Sequence, residues 1–302
     1  MPFNPKDILL QKYRIEALIG QGAFAEVYRA THLDLNVSRA LKIVTRQTPG
    51  VGSTQFSEFH QRFHLEAQLG ASLHHSNLIQ VHDFEQDGTN LILVMEYAPG
   101  GCLSERIAQA REEGKLISIE ESTCIATDIA EGLGALHAYD TVHRDLKPSN
   151  VLFDRDKRAK VADYGLAQLP SGPSMRSKLS EGQPHPGTPT YMSPEQINTF
   201  THLTPASDVY ALGLILFEML TGRIYRNVRP GTRAGDLRQD LPEWLDDLLE
   251  RMLSEDPNDR PWDGAEAAQL LQAGDNGMKG AAVMKRQPHQ VLINNQTKNQ
   301  HH

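Results

Sequence analysis

Cysteine is almost missing from this chain. Only Cys102 and Cys124 occur in 302 residues, which excludes a disulfide framework and leaves no zinc-ligand spacing. Such a pair fits a reducing compartment, so a cytoplasmic setting is expected. Long apolar runs are also missing. The longest, Val209 to Leu220, is broken by Glu218 and is too short to span a bilayer, so it reads as a buried helix. The start, MPFNPKDILLQK, lacks a basic segment followed by an apolar one, so neither a signal peptide nor a membrane role is expected. Cations are not in excess: 30 Lys plus Arg against 38 Asp plus Glu leave a net charge of −8, which disfavours a nucleic-acid partner. The 13 histidines, His74, His75 and His82 among them, show no metal-ligand spacing and read as packing or surface residues.

What is there suffices for a core. Apolar residues make up 39% and charged ones 23%, so the bulk of the chain should fold. From Lys12 to Val44 three alternating runs predict three strands, and Leu78 to Phe84 and Leu91 to Tyr97 predict two more. Between them the spacing from Phe56 to Leu73 turns helical, with Phe59, Phe63, Glu66, Gly70 and Leu73 on one face. Ala98 to Gly101 reads as a linker. Helices then take over. Ser118-Ile-Glu-Glu121 is a capping box that opens a helix to about Tyr139. Further helices are predicted over Asp208 to Leu220 (closed by Gly222), Trp244 to Leu253 and Gly264 to Leu271. The boundaries are a 1–11 extension, a β-rich lobe at 12–97, a 98–101 hinge and a helical lobe at 102–272. The tail at 273–302, rich in Asn and Gln, is expected to be disordered.

Gly20-Gln-Gly-Ala-Phe-Ala25 is close to a glycine-rich phosphate loop, but Ala25 stands where a third glycine is usual. Those residues alone also fit an ordinary hairpin turn. Ala40 and Lys42 share one face of the next strand. A lysine turned inward needs an anion, and Glu66 on the apolar helix face can supply it. An exposed lysine and a solvated acid remain the other reading.

The deciding stretch is HRDLKPSNVLF, His143 to Phe153, followed by Asp163-Tyr164-Gly165. Later come Thr190-Tyr-Met-Ser-Pro-Glu195, Asp208-Val-Tyr210 and Asp256-Pro-Asn-Asp-Arg-Pro261. In this order the motifs resemble those of protein kinases, in detail the eukaryotic-like serine/threonine kinases of bacteria, over about Tyr13 to Leu271. The resemblance implies an α+β bilobal protein-kinase-like fold: a small β-rich lobe with one regulatory helix and a larger helical lobe. It implies transfer of the ATP γ-phosphate to Ser or Thr hydroxyls of protein substrates, with Mg²⁺ or Mn²⁺, and autophosphorylation of the activation segment.

The family's roles fall on this chain as follows. Ile19, Gly20, Gln21, Gly22, Ala23 and Phe24 would cover the phosphates. Lys42 would hold the α- and β-phosphates and pair with Glu66. The adenine would lie between Val27, Ala40 and Leu152, bonding the hinge at Glu96 and Ala98, with Met95 guarding the back pocket. Asp163 and Asn150 would bind the metal. Asp145 would accept the substrate proton, Lys147 would stabilise the transferring group, and Thr188 would contact both. Asp208, Glu195 and Arg260 resemble structural residues. Ser180 is the candidate activating phosphosite, with Arg144 as the cation a phosphate there would meet.

Four features depart from the family or stand apart. Ala25 should stiffen the loop slightly. Gly70, where a larger apolar residue is usual, should remove packing and let the helix swing, leaving a resting enzyme inactive. Tyr164 replaces Phe, which is mild if its hydroxyl finds a partner. Cys102 sits at the pocket mouth at a helix start, either as a reactive thiol or as a half-buried small residue, while Cys124 is expected to face the core. The competing class is a kinase-fold scaffold without catalysis, and Lys42, Asp145, Asn150 and Asp163 weigh against it. A small-molecule kinase is disfavoured by 187–189 and 192–195, which resemble a peptide-docking segment.

Overall fold

Alternation in the first hundred residues produces a twisted antiparallel sheet. The computed structural model describes residues 3–22, 25–45, 63–64, 67–164, 190–198 and 203–275. Strands β1 (Ile8–Leu9), β2 (Tyr13–Gln21), β3 (Glu26–His32), β4 (Val37–Thr45), β5 (Val81–Asp87) and β6 (Asn90–Glu96) lie in the order β1-β2-β3-β4-β6-β5. β1 falls inside the segment read as an extension, with Ile8 opposite Arg14 and Leu9 opposite Tyr13. Two strand residues carry too little periodicity to be read from sequence.

The sheet has two apolar faces because side chains alternate. Ile15, Tyr28, Leu41, Ile43, Ile92 and Val94 are buried on one, closed over by Leu9 and Phe3. The Phe3 ring meets Tyr28 edge-on at 5.8 Å. On the other face Ala40, Val44, Leu91, Leu93 and Met95 pack against Phe63 and Ala67. Those two belong to helix α1, of which residues 63–64 and 67–72 are described.

The helical lobe holds α2 (Leu103–Glu112), α3 (Ile119–His137), α4 (Pro194–Asn198), α5 (Pro205–Thr221), α6 (Ala234–Leu237), α7 (Glu243–Met252) and α8 (Gly264–Asp275). Ser118 caps α3, its side chain accepting from the Glu121 N–H at 3.1 Å. α3 stops at His137 rather than Tyr139, because the chain then turns through Asp140 at φ 52°. α5 begins three residues before Asp208, since Pro205 suits a first helical turn. It ends at Gly222 in the left-handed conformation, φ 67°. Every residue from Ala206 to Thr221 is buried, so α5 is the axis on which the lobe packs. α8 runs to Asp275, so helix crosses the expected start of the tail at 273.

Cys124 is a correction: it is exposed, not core-facing. On α3 it lies between the buried pairs Ser122–Thr123 and Ile125–Ala126, on the outward side of the turn. Helical period overrides the usual burial of cysteine here. Among the described residues no helix is long and apolar enough to cross a membrane.

A two-stranded sheet, β7 (Val151–Phe153) and β8 (Ala159–Val161), sits where the lobes meet. The Ile79 N–H donates to the Val161 carbonyl at 2.9 Å, and the Val161 N–H to the Asn77 carbonyl at 2.8 Å.

Candidate active site

Between β2 and β3 the Gly22 N–H donates to the Ala25 carbonyl at 2.8 Å. Protein packing does not demand glycine there. A Cβ at Gly20 would meet Val27 at an ordinary 3.5 Å, and one at Gly22 would stand 3.4 Å from the Ala25 carbonyl. Ile19 is 46% exposed, as befits a residue at the lip of a cleft. Ala23 and Phe24 lie outside the described residues, as do Glu66, Thr188 and Ser180.

Lys42 faces Leu93 across β4 and β6, on the same face as Ala40. Its ammonium reaches Asp163 Oδ1 at 3.1 Å and lies 5.7 Å from the Phe63 ring centre. That cation, by its charge and its hydrogen bond, holds the Asp163 carboxyl below its ordinary value. Asp163 has φ 60°, a conformation strained for a residue with a side chain.

The second half of the site is local. Lys147 Nζ donates to Asp145 Oδ2 at 2.9 Å. Asn150 Nδ2 donates to the Asp145 carbonyl at 2.9 Å, so its Oδ1 is left to accept. The Ala162 N–H donates to the Asn150 carbonyl at 2.8 Å, drawing the strand that precedes Asp163 up to the loop. Arg144 is held at φ 67°: its N–H donates to Asp208 Oδ1 at 2.8 Å, and its carbonyl accepts from Gln196 Nε2 at 2.8 Å.

Asp208 also takes the His143 N–H at 2.6 Å and His137 Nε2 at 3.0 Å. Because the Gly264 N–H donates to His137 Nδ1 at 3.0 Å, Nε2 carries the proton given to Asp208. His143 Nε2 in turn reaches the Ala162 carbonyl at 3.0 Å. Both histidines are thus positioning groups, a role hidden in the sequence because their partners are distant. The Glu195–Arg260 pair is bidentate, at 2.8 and 3.0 Å, with Arg260 fully buried.

At the hinge, Val27, Ala40, Met95, Ala98 and Leu152 join one apolar cluster, with Val27 and Leu152 half-buried. Val27 and Leu152 thus keep part of their apolar surface uncovered. Among the described residues the Ala98 N–H finds no acceptor, as a donor awaiting a flat heterocycle would. Sequence reasoning missed what steadies this hinge: the Glu96 carboxylate pairs with Lys160 of β8 at 3.1 Å, and Lys160 is buried.

The chain matches the Protein kinase domain family across residues 13–273. It belongs to the protein kinase family. It is 36% identical over 214 residues to serine/threonine-protein kinase PrkC of Bacillus subtilis, covering 70% of this chain and 31% of that one. To PknL of Mycobacterium tuberculosis it is 31% identical over 278 residues, covering 88% and 66%. The crystal structure of the Mycobacterium tuberculosis PknI kinase domain superposes with a TM-score of 0.67 at 26% identity, covering 90% of this chain and 99% of that one. This kinase domain thus spans from under a third to two thirds of the length of such full-length relatives.

Within the kinase frame, Gly70 behaves differently from expectation. It leaves no hole. A Cβ there would stand 2.3 Å from Val81 Cγ2 and 3.3 Å from the Tyr164 hydroxyl, so α1 approaches the sheet too closely for a side chain. Gln80 Nε2 also donates to the Gly70 carbonyl at 3.0 Å. The helix is tied down at this point.

Proposed function

We propose that this kinase domain transfers the γ-phosphoryl group of ATP to serine and threonine hydroxyls of proteins, its own activation segment included. The observation that carries this is the meeting of two local constellations, Lys42 with Asp163 at 3.1 Å and Asp145 with Lys147 at 2.9 Å, beside the open hinge donor of Ala98. Phosphoryl transfer needs positioning and charge neutralisation more than covalent chemistry. Lys42 would fix the α- and β-phosphates of the substrate ATP. Gly20 and Gly22 would let backbone approach them. Asp145 would orient the attacking hydroxyl and take its proton, and Lys147 would steady the equatorial oxygens.

Hard oxygen donors suit Mg²⁺ or Mn²⁺, and Asp163 Oδ with Asn150 Oδ1 offer two. Among the described residues no group of three or more His, Cys, Asp or Glu is arranged to hold a metal ion. That fits a metal completed by substrate phosphates rather than an all-protein cage. When bound, the ion would neutralise charge across the β- and γ-phosphates. A reducing, cytoplasmic setting suits two cysteines that form no disulfide.

The test is phosphate transfer from labelled ATP to a generic Ser/Thr protein and to the chain itself, against Asp145→Asn. Loss of a positioned base reduces rate by roughly 10²–10⁴-fold. A wild-type protein that binds ATP but transfers nothing would establish the scaffold reading instead.

A further inference from the structure

Beyond the phosphate-transfer centre, the helical lobe carries a second feature. Residues 190–195, which include the 192–195 part of the segment resembling a peptide-docking one, are anchored on one side by Arg226 and Glu218. Arg226 donates through Nε to the Thr190 carbonyl at 3.3 Å and through its NH2 group to the Met192 carbonyl. Tyr191 donates its hydroxyl to Glu218 Oε2, and Arg111 donates to Glu218 Oε1 at 3.1 Å. Both oxygens of Glu218 are thus engaged, and its side chain is 6% exposed.

Directly beside this lies a hollow of about 260 Å³, lined by Arg111, Gly222, Arg223, Ile224, Asn227 and Val228. No carboxylate lines it. A neighbouring hollow of about 240 Å³ shares Arg111 and Arg223 and adds Glu218, the partner of Arg111, and Lys115, which pairs with exposed Glu113. Among the described residues Arg223 and Arg229 meet no carboxylate, and both are exposed. By contrast a larger hollow, about 470 Å³, sets Arg233 against Asp246, Asp247 and Glu250, which it pairs with directly. That one is neutralised from within; at the other groove Arg111 is paired with Glu218, and the charge left without a carboxylate among the described residues is that of Arg223 and Arg229.

The basic groove stands out on a chain whose net charge is −8. Nor do the segments 165–189 and 276–302 supply an acidic run to fill it. Residues 165–189 hold one acid, Glu181, against Arg176 and Lys178, and 276–302 hold none. We infer that the groove formed by Arg111, Arg223 and the 224–229 turn docks an acidic segment of the protein substrate, flanking the accepting Ser or Thr held at 190–195. This deepens the proposed kinase reading and rests on it. Charge complementarity of this kind fixes register and partner choice more than raw affinity.

Serine peptides identical except for a flank of Asp/Glu, Gln, Lys or phosphoserine distinguish the cases. The acidic flank should lower KM about tenfold against Gln, the gain expected from one or two charge pairs. It should fade between low and high salt, because exposed charges are screened beyond about 10 Å at 0.1 M. The phosphoserine flank reports whether phosphate or carboxylate is the better anion. Arg223→Glu, checked for an unchanged melting curve, should bring the acidic-to-neutral KM ratio to one or reverse it in favour of Lys, while Arg14→Glu in the other lobe keeps it. Equal KM for all flanks, a preference for Lys in the wild type, or an acidic preference that survives Arg223→Glu would overturn the assignment. Anisotropy of a fluorescent acidic peptide with Ala in place of Ser, on wild type and Asp145→Asn, reads docking without catalysis. Binding there with no transfer anywhere fails the kinase reading and leaves the groove standing; transfer with no binding does the converse.

Discussion

The hydroxyl of Tyr164 borders the space that a side chain at Gly70 would enter, beside Val81. It donates to the Ile79 carbonyl at 2.7 Å, and a Cβ built on Gly70 would come within 3.3 Å of it. The two departures from the family pattern therefore fit each other. The larger aromatic brings a polar group that is satisfied, and the smaller residue makes room. Restoring a large apolar residue by Gly70→Leu should destabilise the fold by roughly 1–3 kcal/mol through overpacking against Val81. Tyr164→Phe should cost about 1 kcal/mol, the net value of one hydrogen bond. Urea unfolding of both variants and of Gly70→Leu with Val81→Ala checks this. The double variant should recover part of the loss, since it removes the Cγ2 at 2.3 Å but keeps the Cβ at 2.9 Å, and equal instability of single and double variants would show that Val81 is not the obstacle.

Removing either charge of the Lys42–Asp163 pair should spare the fold and stop the chemistry. Asp163 is 45% exposed on its side chain, so Lys42→Met strands no deeply buried charge. Lys42→Met and Asp163→Ala should each reduce transfer by at least about 100-fold, the scale of one lost electrostatic contact to the transition state. Melting temperatures should stay within a few degrees of wild type. Near-normal turnover in either folded variant would falsify the roles given to them.

The Glu195–Arg260 pair predicts a pH dependence. Burial raises the Glu195 carboxyl, but bonds from Arg260 and Ser207 outweigh this and bring it to about 2, from 4.5. A depressed carboxylate stabilises the fold fully above its unfolded value. The contribution is lost as pH falls from about 4.5 through about 2 and is on the order of 3 kcal/mol. Wild type should therefore lose stability to acid more steeply than Glu195→Gln, compared by urea midpoints from pH 6 to pH 3. Glu195→Gln should itself be weaker at neutral pH by roughly 3–5 kcal/mol, because Arg260 keeps a buried charge without its counterion. Parallel acid profiles would mean that Glu195 titrates normally.

Local patterns were legible and distant ones were not. Alternation put Ala40 and Lys42 on one strand face, and the six-residue spacing from Asp145 to Asn150 placed three functional groups in one loop. The sheet strands and the Ser118 cap followed from period and capping chemistry. The bond from His143 to Asp208 spans 65 residues, and no periodicity encodes such a pairing. The Glu96–Lys160 pair was hidden for another reason: Lys160 sits in a strand of three, Ala159–Val161, buried throughout, which reads as apolar without an alternating signal. Gly70 misled because helix propensity describes a helix alone, whereas its place is set by Val81 across the interface. Glu66, Thr188 and Ser180 carry readings from the family pattern that lie outside the described residues.

The two cysteines give a last test, with their order reversed from the sequence expectation. Cys124 is exposed on α3 and Cys102 is half-buried. Cys102 precedes α2 as its N-cap, its Sγ 3.0 Å from Ser104 Oγ and its N–H donating to Glu105 Oε2 at 3.0 Å. Its backbone also bridges to Leu152, the residue assigned to the floor of the adenine slot. Access therefore favours Cys124, whereas position ties Cys102 to Leu152 and so to the proposed adenine site. Brief alkylation of the native protein, followed by peptide mapping, should label Cys124 faster, at a rate that Mg-ATP does not change. Labelling of Cys102 should be slower and should fall several-fold when Mg-ATP fills the cleft. Protection of Cys124 instead, or indifference of Cys102 to nucleotide, would mean that ATP sits elsewhere than between Val27, Ala40 and Leu152.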